Sequence, residues 1–348
     1  MKVEVKELTK IYSYGKAVFE NLSFSLSDGE IMSLYGAEGS GKTTLLKCLA
    51  GAEKCEGEVL FDGSPLAKKP DDVMMIFSDG ALFDNWTVFD NLAYPLKIRK
   101  VDKAEIARRT INAANAFCLN SVLYQKVKRL TLEERKMTSL ARMLVRDFEV
   151  VLIDDILKGL PSETRKTLFF ELSDFLKKSK KTVIYSTSDR YEALSIADKV
   201  LFATPYEIKQ ISSPEELYFK PQSYWALEAA DEFAFSVKAK LIESSGKLYL
   251  EYLGFKQDVT PLKERLVTKK YIGCDVLIGM HGTDVVLSDD GIECETVSSS
   301  FVSGAYFTKY SNGICRYGSK AKAKEKVSLK QDKIMLFDIS SESGILKE

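Results

Sequence analysis

The stretch Gly36-Ala37-Glu38-Gly39-Ser40-Gly41-Lys42-Thr43-Thr44 has the residue types and spacing needed to hold a polyphosphate, because it fits the pattern GxxxxGKT. Its glycines allow a loop whose backbone N–H groups converge on an anion. Lys42 would meet the β- and γ-phosphates, and Thr43 would place its hydroxyl on Mg²⁺. Leu45, Leu46 and Leu49 follow on as a helix whose positive N-terminal end faces the same anion. The short apolar run at 30–35 reads as a strand, so the loop joins a strand to a helix and the pattern predicts nucleotide binding.

A second element of the same site lies about a hundred residues on, where the apolar run from Val150 ends in Asp154 and Asp155. A buried strand of this kind delivers a carboxylate, here Asp154, to the Mg²⁺ shell.

The elements that position these residues fall into two unlike parts. With 348 residues the chain has room for two or three domains with full cores. From Met1 to Phe233, strand-like and helical runs alternate, which predicts an α/β layer on a mainly parallel sheet with a β-rich N-terminal piece. Residues 57–63 form a strand closed by an Asp-Gly turn. Helices are expected at 101–117, opened by a capping box of Asp102 and Glu105, and at 162–178, with Leu168, Leu172, Phe175 and Leu176 on one core-facing stripe. From Ala234 to Glu348 the texture changes to short alternating strands broken at Gly246, Gly273, Gly282, Gly291, Gly304 and Gly313, a separate all-β domain. The run 320–326 alternates like an edge strand with a charged face, which is taken over the alternative of a basic binding patch.

Composition removes several functions. Fifty basic residues balance fifty acidic ones, and the β domain lacks the basic and aromatic interleaving used to stack bases, so no nucleic-acid partner is expected. The six cysteines have no CxxC spacing and His281 is the sole histidine, which disfavours a zinc site or a histidine-based triad and suits reduced thiols in a cytosol. No signal peptide is expected at the N-terminus. Apolar runs fall short of the ~18 residues that span a bilayer, so no direct membrane insertion is expected and any membrane role comes through a partner.

The loop at 36–44, Leu130-Thr-Leu-Glu-Glu134 ahead of a helix, the acidic strand and the run 182–189 occur in the order found in the ATP-binding cassette (ABC) ATPases, which the whole first part resembles. Residues 213–221 and the β-rich C-terminal part are similar to the carbohydrate-importer class typified by the maltose transporter's ATPase. The resemblance implies a P-loop NTPase domain at 1–233 with a helical subdomain at about 84–146, and an OB-like regulatory and dimerising domain at 234–348. It also implies ATP with Mg²⁺ as ligands, Thr43 and Asp154 at the metal, and an aromatic stacked on adenine. Tyr12 and Tyr14 both stand where that aromatic belongs and spacing does not decide between them; Tyr12 is taken.

Carrying the family's roles across exposes departures. The position of the glutamine that contacts Mg²⁺ and water is Ser78, the catalytic glutamate is Asp155, and the histidine that holds the γ-phosphate is Ser188. The interface loop after the acidic strand has become Leu160-Pro161. In the signature, Leu132 and Glu133 replace glycines. Thr131 keeps a hydroxyl for the partner's nucleotide, while the alternative is that Thr131 and Glu134 are simply the capping box of the following helix. The segment from Ala81 to Trp86 matches the place where a permease's coupling helix docks, although Phe83 and Trp86 could equally be core.

Together the resemblance and its departures imply an ATP-binding subunit of a carbohydrate importer, peripheral on the cytoplasmic face of the membrane. Such a subunit binds Mg-ATP at a head-to-tail dimer interface with weak hydrolysis of its own, and pairs with a second ATPase subunit of a different chain. The alternative is a non-hydrolysing, nucleotide-sensing regulatory or structural subunit.

Overall fold

The computed structural model describes residues 1–12, 15–65, 72–205 and 207–347; Tyr14 lies outside them. The chain divides into a unit of Met1–Ser213 and a unit of Pro214–Glu348.

In the first unit, β1 (Val3–Ile11) buries Val3, Val5 and Leu8 and pairs antiparallel with β2 (Ala17–Leu26) on one side and β4 (Glu56–Phe61) on the other. β4 turns at Asp62 and Gly63, both at positive φ, into β5 (Ser64–Pro65), the expected Asp-Gly turn. A second sheet runs in the order β10-β9-β3-β8-β7-β6. Its strands are β3 (Ile31–Tyr35), β6 (Val73–Ile76), β7 (Val150–Asp154), β8 (Thr182–Thr187), β9 (Lys199–Thr204) and β10 (Glu207–Ser212). All are parallel except β10, which returns antiparallel along β9. β3, β7 and β8 are buried at every position, as central parallel strands must be. Their register sets Tyr35 beside Thr187 and Asp154 beside Ser186, so the carboxyl ends of three strands converge where open α/β sheets bind ligands.

Helix α1 (Lys42–Leu49) starts directly from that edge and buries Leu45, Leu46 and Leu49. Helices α2 (Val88–Ile98), α3 (Lys103–Ala116) and α4 (Leu132–Leu144) share a core of their own, with Leu92, Leu96, Ile106, Ala113 and Ala141 at its centre, inside the stretch expected to be a helical subdomain. Asp102 caps α3 by accepting from the Ala104 N–H at 2.8 Å, but the expected box does not close. Glu105 is drawn instead to Arg108 and Arg109, at 2.7 and 2.6 Å, because two guanidinium donors outcompete one backbone N–H. Helix α5 (Ser162–Ser179) buries Leu168, Leu172 and Leu176 as the stripe predicts, with Phe175 partly buried, and α6 (Arg190–Ile196) follows β8.

The second unit begins twenty residues before the boundary expected at Phe233. The reason is apolar: α7 (Pro214–Phe219) and α8 (Tyr224–Ala230) bury Leu217, Ala226 and Leu227, and Leu227 sits where a side chain at Gly279 would stand, on β14 (Asp275–Met280). Two antiparallel sheets make up the rest. One has the order β13-β12-β11-β14-β19, adding β11 (Phe235–Ser244), β12 (Lys247–Tyr252), β13 (Phe255–Asp258) and β19 (Met335–Asp338). The other is β17-β16-β15-β18, from β15 (Val285–Val302), β16 (Ala305–Tyr310), β17 (Cys315–Gly318) and β18 (Lys324–Leu329). Leu241, Leu250, Ile278, Tyr310, Val327 and Leu336 share one core.

Two sequence expectations are corrected by the sheets. Gly291 does not break a strand; it lies within β15 where the register slips between Leu287 and Ile292, and a Cβ there would collide with the Val327 backbone. Of the lysine-rich run, only residues from Lys324 onward are strand, though β18 is indeed a sheet edge.

Candidate nucleotide site

At the carboxyl ends of β3 and β7 lies a cleft of about 470 Å³, lined by Glu38 to Thr44 together with Tyr12, Ser78, Asp154, Asp155, Lys158 and Ser186. The loop is shaped by glycine. Gly39 and Gly41 hold φ of +82° and +85°, and a Cβ on Gly41 would strike Val18, so the backbone runs where no side chain fits.

Lys42 is folded back over the loop, its Nζ donating to the carbonyls of Gly36 at 2.7 Å and Ala37 at 2.8 Å, and to Ser40 Oγ at 3.3 Å. Burial depresses its pKa, and the charges of Asp155 and Asp154 partly restore it. Thr43 Oγ1 donates to both oxygens of Asp154 at 2.9 Å, and Ser186 Oγ donates to Asp154 Oδ1 at 3.0 Å. A hydroxyl and a buried carboxylate are thus held together, a donor set suited to a hard divalent cation. The first turn of α1 has no side-chain cap, which leaves its N–H groups for an anion. The cleft therefore fits a magnesium-bound polyphosphate.

Tyr12 lines the cleft, its hydroxyl 3.3 Å from Thr44 Oγ1 and Lys10 Nζ 4.8 Å from its ring centre. Asp155 stands at the end of β7 with φ +38°, a strained value for a side-chain-bearing residue. Its N–H donates to the Ser186 carbonyl at 3.0 Å, while Oδ1 is buried without a hydrogen bond and lies 4.0 Å from Arg165 Nη2. Burial pushes its carboxyl up, with Arg165 opposing and Glu192 adding to the rise. Arg165 itself is held by Glu192 at 2.6 Å, and Glu192 accepts from Tyr185 and Thr187 at 2.8 and 2.7 Å. The family-matched histidine position does not join this group: Ser188 is exposed and off the cleft.

Thr131 is also away from the cleft. Its Oγ1 accepts from the Glu134 N–H at 3.2 Å while Glu134 accepts from the Thr131 N–H at 2.8 Å, so the capping-box alternative is the one formed. Thr131→Ala should cost the helix start about 1 kcal/mol, hence roughly fivefold less hydrogen-exchange protection in the first turns of α4, with nucleotide affinity of the isolated chain unchanged. Unaltered protection there would show that the cap contributes nothing.

At the segment matched to the docking site, Phe83 and Trp86 are 41% and 39% exposed, so they are not core. They pack with Tyr94 into a cluster with ring centres 4.5 to 5.4 Å apart, and Asn91 pins the Phe83 backbone through both its N–H and its carbonyl. Sequence reasoning missed Ser186, Lys136 and Lys158. Lys136 is a buried lysine whose ammonium donates to the Ser78 carbonyl; burial lowers its pKa and Asp155 opposes that. Ser186 comes to Asp154 only through the register of the parallel strands β7 and β8.

The ABC transporter family model matches residues 19–158. A 229-residue stretch is 34% identical to the sn-glycerol-3-phosphate import ATP-binding protein of Cupriavidus metallidurans, covering 64% of this chain and 62% of that protein's own length. An ABC transporter ATP-binding protein of Bacillus subtilis is 31% identical over 77% of this chain and 75% of its own. The trehalose/maltose import ATP-binding protein of Thermococcus litoralis is 29% identical over 81% and 78%. Over 63% of this chain the fold is shared with a solved structure from Clostridium perfringens, part of an ABC transporter complex, at a TM-score of 0.56 and 22% identity, covering 90% of that chain.

Proposed function

Since the chain belongs to the ATP-binding proteins of ABC transporters, we propose that it is the ATP-binding subunit of an importer for carbohydrate, peripheral on the inner face of the membrane and bound to a permease through the aromatic segment at 81–86. The observation that carries the reading is the joined Thr43 and Asp154 pair at 2.9 Å beside the lysine-bearing loop. Thr43 and Asp154 hold the metal, Lys42 and the loop N–H groups hold the phosphates, and Tyr12 offers its ring to the base. When bound, Mg²⁺ supplies charge neutralisation at the phosphate oxygens. The import names of the Cupriavidus and Thermococcus relatives support an importer, and the second of them a sugar cargo. We read the β-rich second unit, built of two antiparallel sheets, as the OB-like regulatory domain on the resemblance of its sequence to the carbohydrate-importer class.

Hydrolysis by this chain is weak in our reading. Asp155 is one methylene shorter than glutamate and points its free oxygen at Arg165; Ser188 stands off the cleft; Ser78 is short. The same observations favour a second reading, a regulatory subunit that binds nucleotide and never turns it over. Calorimetry and turnover assays on the purified chain, alone and beside its permease, separate the two. We expect Mg-ATP to bind and turnover to stay far below the ~10 s⁻¹ common among enzymes. Turnover near that figure would refute impaired hydrolysis, absence of any turnover beside the permease would leave only the regulatory reading, and absence of binding would refute both.

A further inference from the structure

Lys158 lies three residues past Asp155 in the loop leading to α5, and its side chain lines the cleft. Its Nζ is paired with Glu38 Oε1 at 2.5 Å, and Glu38 is itself a residue of the phosphate loop. Both members are exposed, at 51% and 75%, so the pair is weak and open to replacement. Lys42, the other phosphate-site cation, lines the same cleft, with its Nζ on the carbonyls of Gly36 and Ala37 just ahead of Glu38. Two ammonium groups thus converge on one cleft, with Glu38 as the counter-ion of the second. Meanwhile the position matched to the γ-phosphate histidine, Ser188, carries no charge and lies off the cleft.

We propose that Lys158 is a second ligand of the terminal phosphate, supplied by the same chain and held by Glu38 until a nucleoside triphosphate displaces that carboxylate. The proposal rests on the nucleotide-binding reading and adds to it a residue that discriminates triphosphate from diphosphate. Its physical basis is exchange of one acceptor for a better one. A carboxylate carries one negative charge, whereas a terminal phosphate carries more charge and three strong acceptor oxygens, so the flexible ammonium transfers to it. The displaced Glu38 then faces like charge, which makes it a competitor of the ligand rather than a support.

The test is calorimetry of Mg-ATP and Mg-ADP on the full chain and on Lys158→Ala, Lys158→Arg and Glu38→Gln. Loss of one charge-assisted contact should weaken ATP about tenfold in Lys158→Ala. ADP, which lacks the group concerned, should change less than about twofold, Lys158→Arg should retain most of the ATP affinity, and Glu38→Gln should raise it. Equal losses for ATP and ADP, or no loss for ATP, overturn the proposal. A wild-type chain that binds neither nucleotide overturns the nucleotide-binding reading itself, and the role of Lys158 with it.

Discussion

Lys42→Ala is expected to weaken Mg-ATP binding by about a hundredfold or more, with the fold intact. Lys42 Nζ already reaches three oxygens of its own loop, at 2.7, 2.8 and 3.3 Å, so its chain is aimed at the space that the loop encloses. Phosphate oxygens offer the same donor stronger, charged acceptors. Hydrogen bonds to charged groups contribute about 1.5–3 kcal/mol each, and two of them account for about a hundredfold. Partial burial strengthens the effect, since it depresses the pKa of Lys42 and leaves an incompletely solvated ammonium that an anion stabilises. Of the loop carbonyls left behind, that of the exposed Ala37 can take water in place of the ammonium. Thermal unfolding without nucleotide should therefore be nearly unchanged, while calorimetry reads the loss. Equal affinity in the two proteins would remove the phosphate loop from the site.

The parts of this site visible in the sequence are those fixed by local chain geometry. Gly39, Gly41, Lys42 and Thr43 are contiguous or nearly so, and their spacing alone dictates a strand-to-helix loop, so their convergence is legible in the chain itself. Asp154 is legible because a short, β-branched apolar run ending in acid reads as a buried strand reaching a polar edge. Ser186 is not, because it meets Asp154 through the register of two parallel strands separated by α5, and register between distant strands leaves no local mark. Lys158 and Lys136 escape notice for a related reason. A lysine in a loop or on a helix looks like solvated surface, and only the folded chain brings one against Glu38 and the other against the Ser78 carbonyl. Capping shows the same limit in reverse: Thr131 with Glu134 closes its box, whereas Asp102 with Glu105 has the same spacing and does not, because Arg108 and Arg109 stand within reach of Glu105. The boundary between the units moves for a tertiary reason too, as Leu217 and Leu227 are buried within the second unit.

In a reconstituted transporter, neutralising the catalytic carboxylate of a second, intact ATPase subunit should abolish transport, whereas Asp155→Asn in this chain should leave most of it. The resemblance to the ATP-binding cassette ATPases implies a head-to-tail pair, in which each nucleotide would lie between one subunit's phosphate loop and the other's signature. In a homodimer of this chain both sites would combine Asp155, Ser188 off the cleft and a signature whose Thr131 and Glu134 are engaged in capping α4. With an intact partner the defects separate. The site built on the partner's phosphate loop keeps the partner's catalytic groups and lacks only a good signature, so hydrolysis concentrates there. The other site would join Lys42, Thr43 and Asp154 of this chain to the partner's sound signature and would hold nucleotide as a clamp, favouring the closed state through binding rather than cleavage. In this arrangement Asp155 would contribute little to either step, because a carboxylate one methylene short would be displaced by about an ångström, and displacement of that order can cost ~100-fold in rate. Its free oxygen, 4.0 Å from Arg165, is moreover directed toward the Arg165–Glu192 pair. Lys42→Ala should be the damaging change in this chain, since it empties the clamp. If Asp155→Asn is as harmful as the partner's substitution, or if this chain alone forms an active dimer on the permease, the asymmetric arrangement is wrong and Asp155 is a working base.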